Sequence, residues 1–402
     1  MDFGLNPRKP PCTLNRTLPP RMVPLRKIAF FSLTPSPPAP PANQKTLEAL
    51  KAEFPDHQFD EFYILPILKQ APAAFATAAA VAGLTYAPQL ISGQKKMKYA
   101  AFRTAWIFSW IKRQIARQID PVDYEFSFQM QSIFDASIAG LPHFVYTDHT
   151  HLENLNFEGF ESSDLYNKRW IDRERTIYQN ATKVFTRSSN VTASLVDQYD
   201  CDPERIACVY AGSNTTIPED LSERENRYSS KNILVVGIDW ERKGGPTLLE
   251  AFKKVLARHP DANLTIVGCA PNIGETPSCN IAGRVPLDDV NRFYDEATVF
   301  CLPTRVEPFG IVFVEAMWQS LPIVATRVGA VPDMVEDGVN GYLVSPGDVD
   351  ELAERLNAVL DSPDRRKKFG TASRKKAERN YDWSMVASRM RDHIEKFIQQ
   401  SS

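Results

Sequence analysis

Residues 305–317 hold two carboxylates, Glu307 and Glu315, with Pro308, Phe309 and Gly310 between them. An apolar run just upstream, 298–302, reads as a buried parallel strand, and Gly310 opens a helix running to about Ser320. Glu307 therefore stands in the turn and Glu315 inside the helix, on the same face as Ile311. The free N–H groups and positive dipole end at Phe309, Gly310, Ile311 and Val312 suit a phosphate or another anion. A carboxylate cannot ligate phosphate, but it accepts hydrogen bonds from hydroxyls. Phosphate flanked by two polyols, a sugar and a ribose, is the ligand that this spacing fits. A second group of the same kind stands at a strand-to-helix turn upstream, where Arg242 and Lys243 precede Gly244 and Gly245. Cations in a glycine turn suit a diphosphate.

Elements to position these residues can be read along the whole chain. In the first half, strands are expected at 27–33, 59–65, 124–128, 144–147 and 206–210, with helices at 44–53, 162–181 and 189–199. In the second half, strands at 232–236, 264–267, 298–302 and 322–325 alternate with helices at 246–258, 287–296, 310–320, 365–379 and 383–399. Apolar throughout, the first strand is the kind that parallel sheets bury on both faces. The fold class is α/β. A chain of 402 residues is too long for one ordinary core and fits two domains. Residues 1–25 are expected to form a loose arm, 26–212 the first domain and 231–382 the second, with a polar linker at 211–230 and a last helix at 383–402.

A net charge of −2 gives no reason to expect nucleic acid as a partner. The six cysteines show no C-x-x-C pair and no zinc spacing, and residues 1–25 lack the apolar core of a signal peptide. Reduced thiols and a cytoplasmic location are the expectation. Two D-x-D matches, Asp348/Asp350 and Asp200/Asp202, read as a helix cap and a loop, so no metal site is assigned.

Glu307 and Glu315, with Pro308, Phe309 and Gly310 between them and Ala316 and Met317 behind, resemble the E-x7-E motif of the family-4 retaining glycosyltransferases. That resemblance implies the GT-B fold, two Rossmann-like domains with parallel sheets facing a central cleft, and a last helix crossing back to the N-terminal domain. It implies transfer from a nucleoside diphosphate sugar, used as co-substrate with no other cofactor, to a lipid, lipid-linked or saccharide acceptor. Lys243, Arg242, Glu307 and His149 are then the catalytic candidates. Donor contacts fall to Gly237, Lys243, Arg284, Val285, Phe309, Gly310, Ile311, Val312 and Glu315. His149, with Thr147, matches a family histidine beside the donor, at the carboxyl end of a strand where open α/β sheets place ligands. His151 reads as a loop histidine. Two positions depart from the family pattern. Ile238 stands where an arginine is expected, and the 34–43 turn is rich in proline where glycines are usual. These departures keep two rivals open, a nucleotide-sugar binding protein without catalysis and a same-fold epimerase or hydrolase.

Residues 63–119 contain no Asp or Glu. Their first half, 71–94, is alanine-rich and interrupted by Pro72, Gly83 and Pro88, which argues against a transmembrane helix. Residues 95–119 read as one helix with two stripes. Ile107, Phe108, Ile111 and Ile115 should face inward, whereas Tyr99, Phe102, Trp106 and Trp110 alternate with arginines. The second stripe suits an anionic surface on the cytoplasmic face of a membrane; a helix buried on two sides is the alternative.

Overall fold

Strands enclosed on both faces need apolar residues at successive positions, and the first-half runs supply them. The computed structural model describes residues 26–35, 41–218, 227–274 and 276–401; the 1–25 arm and the prolines at 37, 38 and 40 lie outside the described residues. The first sheet comprises β1 (Arg26–Ser32), β2 (His57–Tyr63), β3 (Phe126–Met130), β4 (His143–Thr147), β5 (Lys183–Thr186) and β6 (Ile206–Cys208). Its order is β2-β1-β3-β4-β5-β6, and every neighbouring pair is parallel. Around it lie α1 (Pro41–Glu53), α2 (Ile64–Lys69), α3 (Pro72–Thr85), α4 (Ala87–Ile91), α5 (Met97–Ala100), α6 (Ala105–Gln118), α7 (Lys168–Asn180) and α8 (Ser189–Asp197).

The second sheet comprises β7 (Asn232–Val236), β8 (Asn263–Val267), β9 (Cys279–Gly283), β10 (Val299–Leu302), β11 (Ile323–Thr326) and β12 (Gly341–Val344). Its order, β12-β11-β10-β7-β8-β9, is again wholly parallel. Its helices are α9 (Gly245–Arg258), α10 (Val290–Glu296), α11 (Ile311–Trp318), α12 (Val331–Met334), α13 (Val349–Leu360), α14 (Pro363–Asn380) and α15 (Trp383–Ser401). Two wholly parallel six-stranded sheets are the GT-B arrangement expected above. Each sheet reverses its order once, between β1 and β3 in the first and between β7 and β10 in the second. Crevices at such reversals are where open α/β sheets bind ligands.

Although α15 ends the chain, it packs on the first sheet. Arg391 pairs with Glu53 of α1 at 2.6 Å, and Phe397 meets Phe144 of β4 with ring centroids 6.2 Å apart. Its first residue, Trp383, donates Nε1–H to Ser213 O at 2.8 Å and lies where a Cβ on Gly212 would stand. Asp348 caps α13 by accepting from the Glu351 N–H at 2.9 Å, as its D-x-D reading expected.

Several elements differ from their sequence reading. Residues 95–119 are not one helix: the chain turns after α5, and Thr104 starts α6 afresh by accepting from the Ile107 N–H. Ile107, Phe108, Ile111 and Ile115 are buried as expected, but Trp106 and Trp110 are half-buried against the same core and do not form an outward stripe. The helix expected at 162–181 begins only at Lys168, behind the Asn167 cap. Strands β5, β9 and β12 were not foreseen. The first is four residues long, and the second is an edge strand whose exposed Asn280 and Ile281 interrupt the apolar pattern.

Candidate active site

Loops at the order reversal of the second sheet bring the sequence candidates together. Lys243 follows β7 and Glu307 follows β10, the two strands that flank the reversal. The Lys243 ammonium and the Glu307 carboxylate form a close ion pair, with side chains 11% and 7% exposed. Burial pushes the lysine below its usual range, and the carboxylate beside it opposes that shift. The backbone here requires glycine. Gly244 has φ +73°, and a Cβ there would lie 1.9 Å from Pro303 O, so the two loops touch directly.

Arg242 does something different from its neighbour. Its Nη1 donates to Val306 O at 2.7 Å, and its own carbonyl accepts from the Arg305 N–H at 2.9 Å. The guanidinium therefore braces the loop that carries Glu307. Gly310 caps α11 at φ +88°, and a Cβ on it would meet Phe313 Cδ2 at 2.7 Å and Glu307 Cγ at 2.9 Å. The first N–H groups of α11, at Ile311 and Val312, have no carbonyl partner within the helix.

One turn further along α11, Glu315 is 3% exposed, and its Oε2 accepts from Tyr294 O–H at 2.9 Å. Burial raises its carboxyl to about 7, and the tyrosine hydrogen bond opposes this. Tyr294, on α10, carried no signal in the sequence. A cavity of about 330 Å³ adjoins α11, lined by Gly237, Ile238, Arg242, Lys243, Val285 and Val312, with Val236, Val267, Leu287 and Val290 among its apolar walls. Arg284 is exposed and does not line it. Ile238, standing where an arginine was expected, is 69% exposed.

The first domain reaches this site through His149. Its ring stacks on Phe157 with centroids 6.3 Å apart, and Phe157 in turn lies against Gly329. Gly329 packs on the Glu307 carbonyl, which accepts from the Ala330 N–H at 3.3 Å. Burial lowers the His149 pKa, so the imidazole is neutral at pH 7, and its buried Nδ1 has no hydrogen-bond partner. His151 is structural: its Nε2 accepts from the Tyr166 N–H at 2.8 Å, and burial, helped by the nearby Arg103 charge, takes its pKa down to about 3. A second bridge between the halves had no sequence signal. Asp333 of α12 accepts from both the N–H and the Oγ–H of Ser189, each at 2.6 Å. Among the described residues, no three His, Cys, Asp or Glu side chains are grouped to hold a metal ion.

Residues 217–376 match the family described as glycosyl transferases group 1. A D-inositol 3-phosphate glycosyltransferase of Corynebacterium kroppenstedtii is 29% identical over 251 residues, 56% of this chain and 55% of that protein. The chain thus spans about half the length of the curated relatives it matches. Among solved structures, a sucrose-phosphate synthase from Thermosynechococcus elongatus superposes with a TM-score of 0.63 at 16% identity, over 94% of this chain and all of that one. The Anabaena protein HepE, solved with UDP-glucose, superposes with a TM-score of 0.58 at 16% identity, over 92% and 99%. The second sheet and its helices thus carry the match to the group 1, or family-4, glycosyl transferases, and the chain as a whole has the GT-B fold of the solved structures it resembles.

Proposed function

We propose that the protein transfers a glycosyl unit from a nucleoside diphosphate sugar to a lipid, lipid-linked or saccharide acceptor, with retention at the anomeric carbon. The observation that carries this reading is the buried Lys243–Glu307 pair beside the first turn of α11, next to a cavity with apolar walls. Those walls suit a nucleobase, and Glu315 behind Val312 suits the ribose hydroxyls. Residues 231–382 form the donor side, residues 26–212 the acceptor side, and the helix at 383–402 joins the two.

The ion pair suggests how the donor is received. An entering diphosphate competes for Lys243 and frees Glu307 to accept hydrogen bonds from the sugar hydroxyls. As the glycosidic C–O bond breaks, Lys243 and the α11 N–H groups stabilise the charge that builds on the leaving diphosphate. Arg242 keeps the loop in place and adds charge at the cavity edge. The acceptor oxygen attacks the anomeric carbon on the face the diphosphate leaves, through an oxocarbenium-like state, and its proton passes to the departing phosphate oxygen. His149, neutral and stacked on Phe157, forms the opposite wall of the cleft. HepE, solved with UDP-glucose, supports the donor class.

Incubation with a panel of nucleoside diphosphate sugars, with and without lipid and saccharide extracts, tests the reading. Donor consumption that accelerates with an acceptor, giving an axial-to-axial or equatorial-to-equatorial product by NMR, is the expected result. Binding without consumption would make the protein a carrier. Consumption that no acceptor accelerates would make it a hydrolase or epimerase.

A further inference from the structure

A surface helix of a water-facing domain normally turns charged residues outward. Between Gln70 and Gln94 this chain has none, yet α3 and α4 have exposed faces. Leu84, at the end of α3, is 86% exposed, and Ile91, at the end of α4, is 87% exposed. The start of α5 lies beside them, because a Cβ on Gly83 would stand 3.9 Å from Met97 Cε. Met97 and Tyr99 are also exposed, and so are Lys96 and Lys98, with Lys98 over the Tyr99 ring at 4.7 Å. Nearby Lys95 is not part of this surface, since its ammonium turns inward and donates to Asp164 O at 3.0 Å.

We propose that the tip formed by α3, α4 and the start of α5 inserts into an anionic lipid bilayer, with Leu84 and Ile91 among the acyl chains and Lys96 and Lys98 at the headgroups. Exposed aliphatic side chains next to lysines suit an interface that is apolar inside and negative at its edge. Charge argues against a second copy of the chain as the occupant. No carboxylate occurs from residue 63 to 119, so two such surfaces would set lysine against lysine. The site shares only Tyr99 with the stripe expected on residues 95–119, whose Phe102, Trp106 and Trp110 pack inward.

The tip is also coupled to the cleft. Tyr166 stacks edge-on against Tyr86 at 5.3 Å, lies under Arg103 at 5.0 Å, and donates its backbone N–H to His151, two residues from His149. Insertion would therefore present the acceptor side of the cleft to the membrane. Only this consequence rests on the transferase reading, and the binding itself is measured without donor.

The test is flotation of the full chain with vesicles of phosphatidylglycerol and phosphatidylcholine, and with vesicles of phosphatidylcholine alone. Wild type should float with the anionic vesicles and progressively less as salt screens the lysines. Replacing both Leu84→Glu and Ile91→Glu should weaken binding by about tenfold or more, since apolar insertion becomes charge repulsion. Donor consumption and far-UV circular dichroism should be unchanged in that variant, which separates loss of the membrane site from failure of the transferase reading. Arg113→Glu with Arg117→Glu on α6 should alter binding by no more than about twofold, because those residues lie off the tip. Wild type that ignores anionic vesicles, a tip variant that floats like wild type, or equal flotation with neutral vesicles would overturn the proposal. So would concentration-dependent dimerisation abolished by the tip variant, which would make the surface a self-association site.

Discussion

At the scale of single residues, the proposed donor site is built from charges held ready in a nearly closed setting. Glu315, with its carboxyl raised to about 7 by burial, gives the clearest test. A folded pKa above the ordinary 4.5 means that the group's stabilising contribution is complete below about 4.5 and is lost as pH rises through about 7. In the proposed donor complex, ribose hydroxyls donate to the charged form, so donor affinity should climb with pH, by up to about tenfold per unit below pH 7, and level off above it. Glu315→Gln should flatten both profiles and weaken donor binding by about 1–3 kcal/mol, measured by calorimetry across pH 5–8. Lys243→Ala should lower turnover about 10²–10³-fold. It also leaves Glu307 buried without its cation, so the melting temperature should fall as well. Adding Glu307→Ala should recover part of that stability, a coupling of about 0.5–3 kcal/mol in a double-mutant cycle. Ile238→Arg would place a cation at the cavity mouth, where the family pattern has one. Turnover should rise, by roughly tenfold, if this chain works with one charge fewer than its relatives. Glu307, Glu315, Lys243 and Gly310 were legible in the sequence because a turn and a helix start fix their geometry locally. Tyr294, Phe157 and Asp333 were not, since each meets its partner only after distant segments pack.

At the scale of elements, the entry to α11 is the feature most sensitive to change. Gly310→Ala would force a side chain into left-handed backbone and against both Phe313 and Glu307. A stability loss of about 1–3 kcal/mol is expected from the strain alone, read by urea denaturation. Because the Cβ would press on Glu307 Cγ, turnover should fall even at temperatures where the variant is folded. The same element shows why prediction worked where it did. Strands β7, β8 and β10 are apolar runs enclosed by helices, and such runs announce themselves. Strand β9 lies at the sheet edge with exposed side chains, and no periodicity marks it. The break between α5 and α6 was missed for a related reason. Its apolar spacing continues across the turn, and only the Thr104 cap, a hydrogen bond made in the folded chain, separates the two helices.

At the scale of the whole molecule, two sheets are held together by α15 and by contacts across the cleft. Residue Trp383 anchors the helix against Gly212 and Ser213, and Arg391 ties it to α1. On the cleft side, Phe157 meets Gly329, and Asp333 meets Ser189. Asp333→Ala should loosen that contact, enlarging the radius of gyration in solution scattering without donor and raising the donor KM. The family match rests on residues 217–376, while the first half carries its own features, the carboxylate-free tip above all. Asp333 has one more consequence. It supplies to α8 the cap that a helix ordinarily takes from its own preceding residue, and Ser188 makes no side-chain cap. Whenever the halves part, the first amide of α8 loses its acceptor and is free to exchange with solvent. Deuterium uptake at Ser189 is therefore a built-in gauge of how often the cleft opens, readable in the unmodified protein and expected to slow when donor holds it shut.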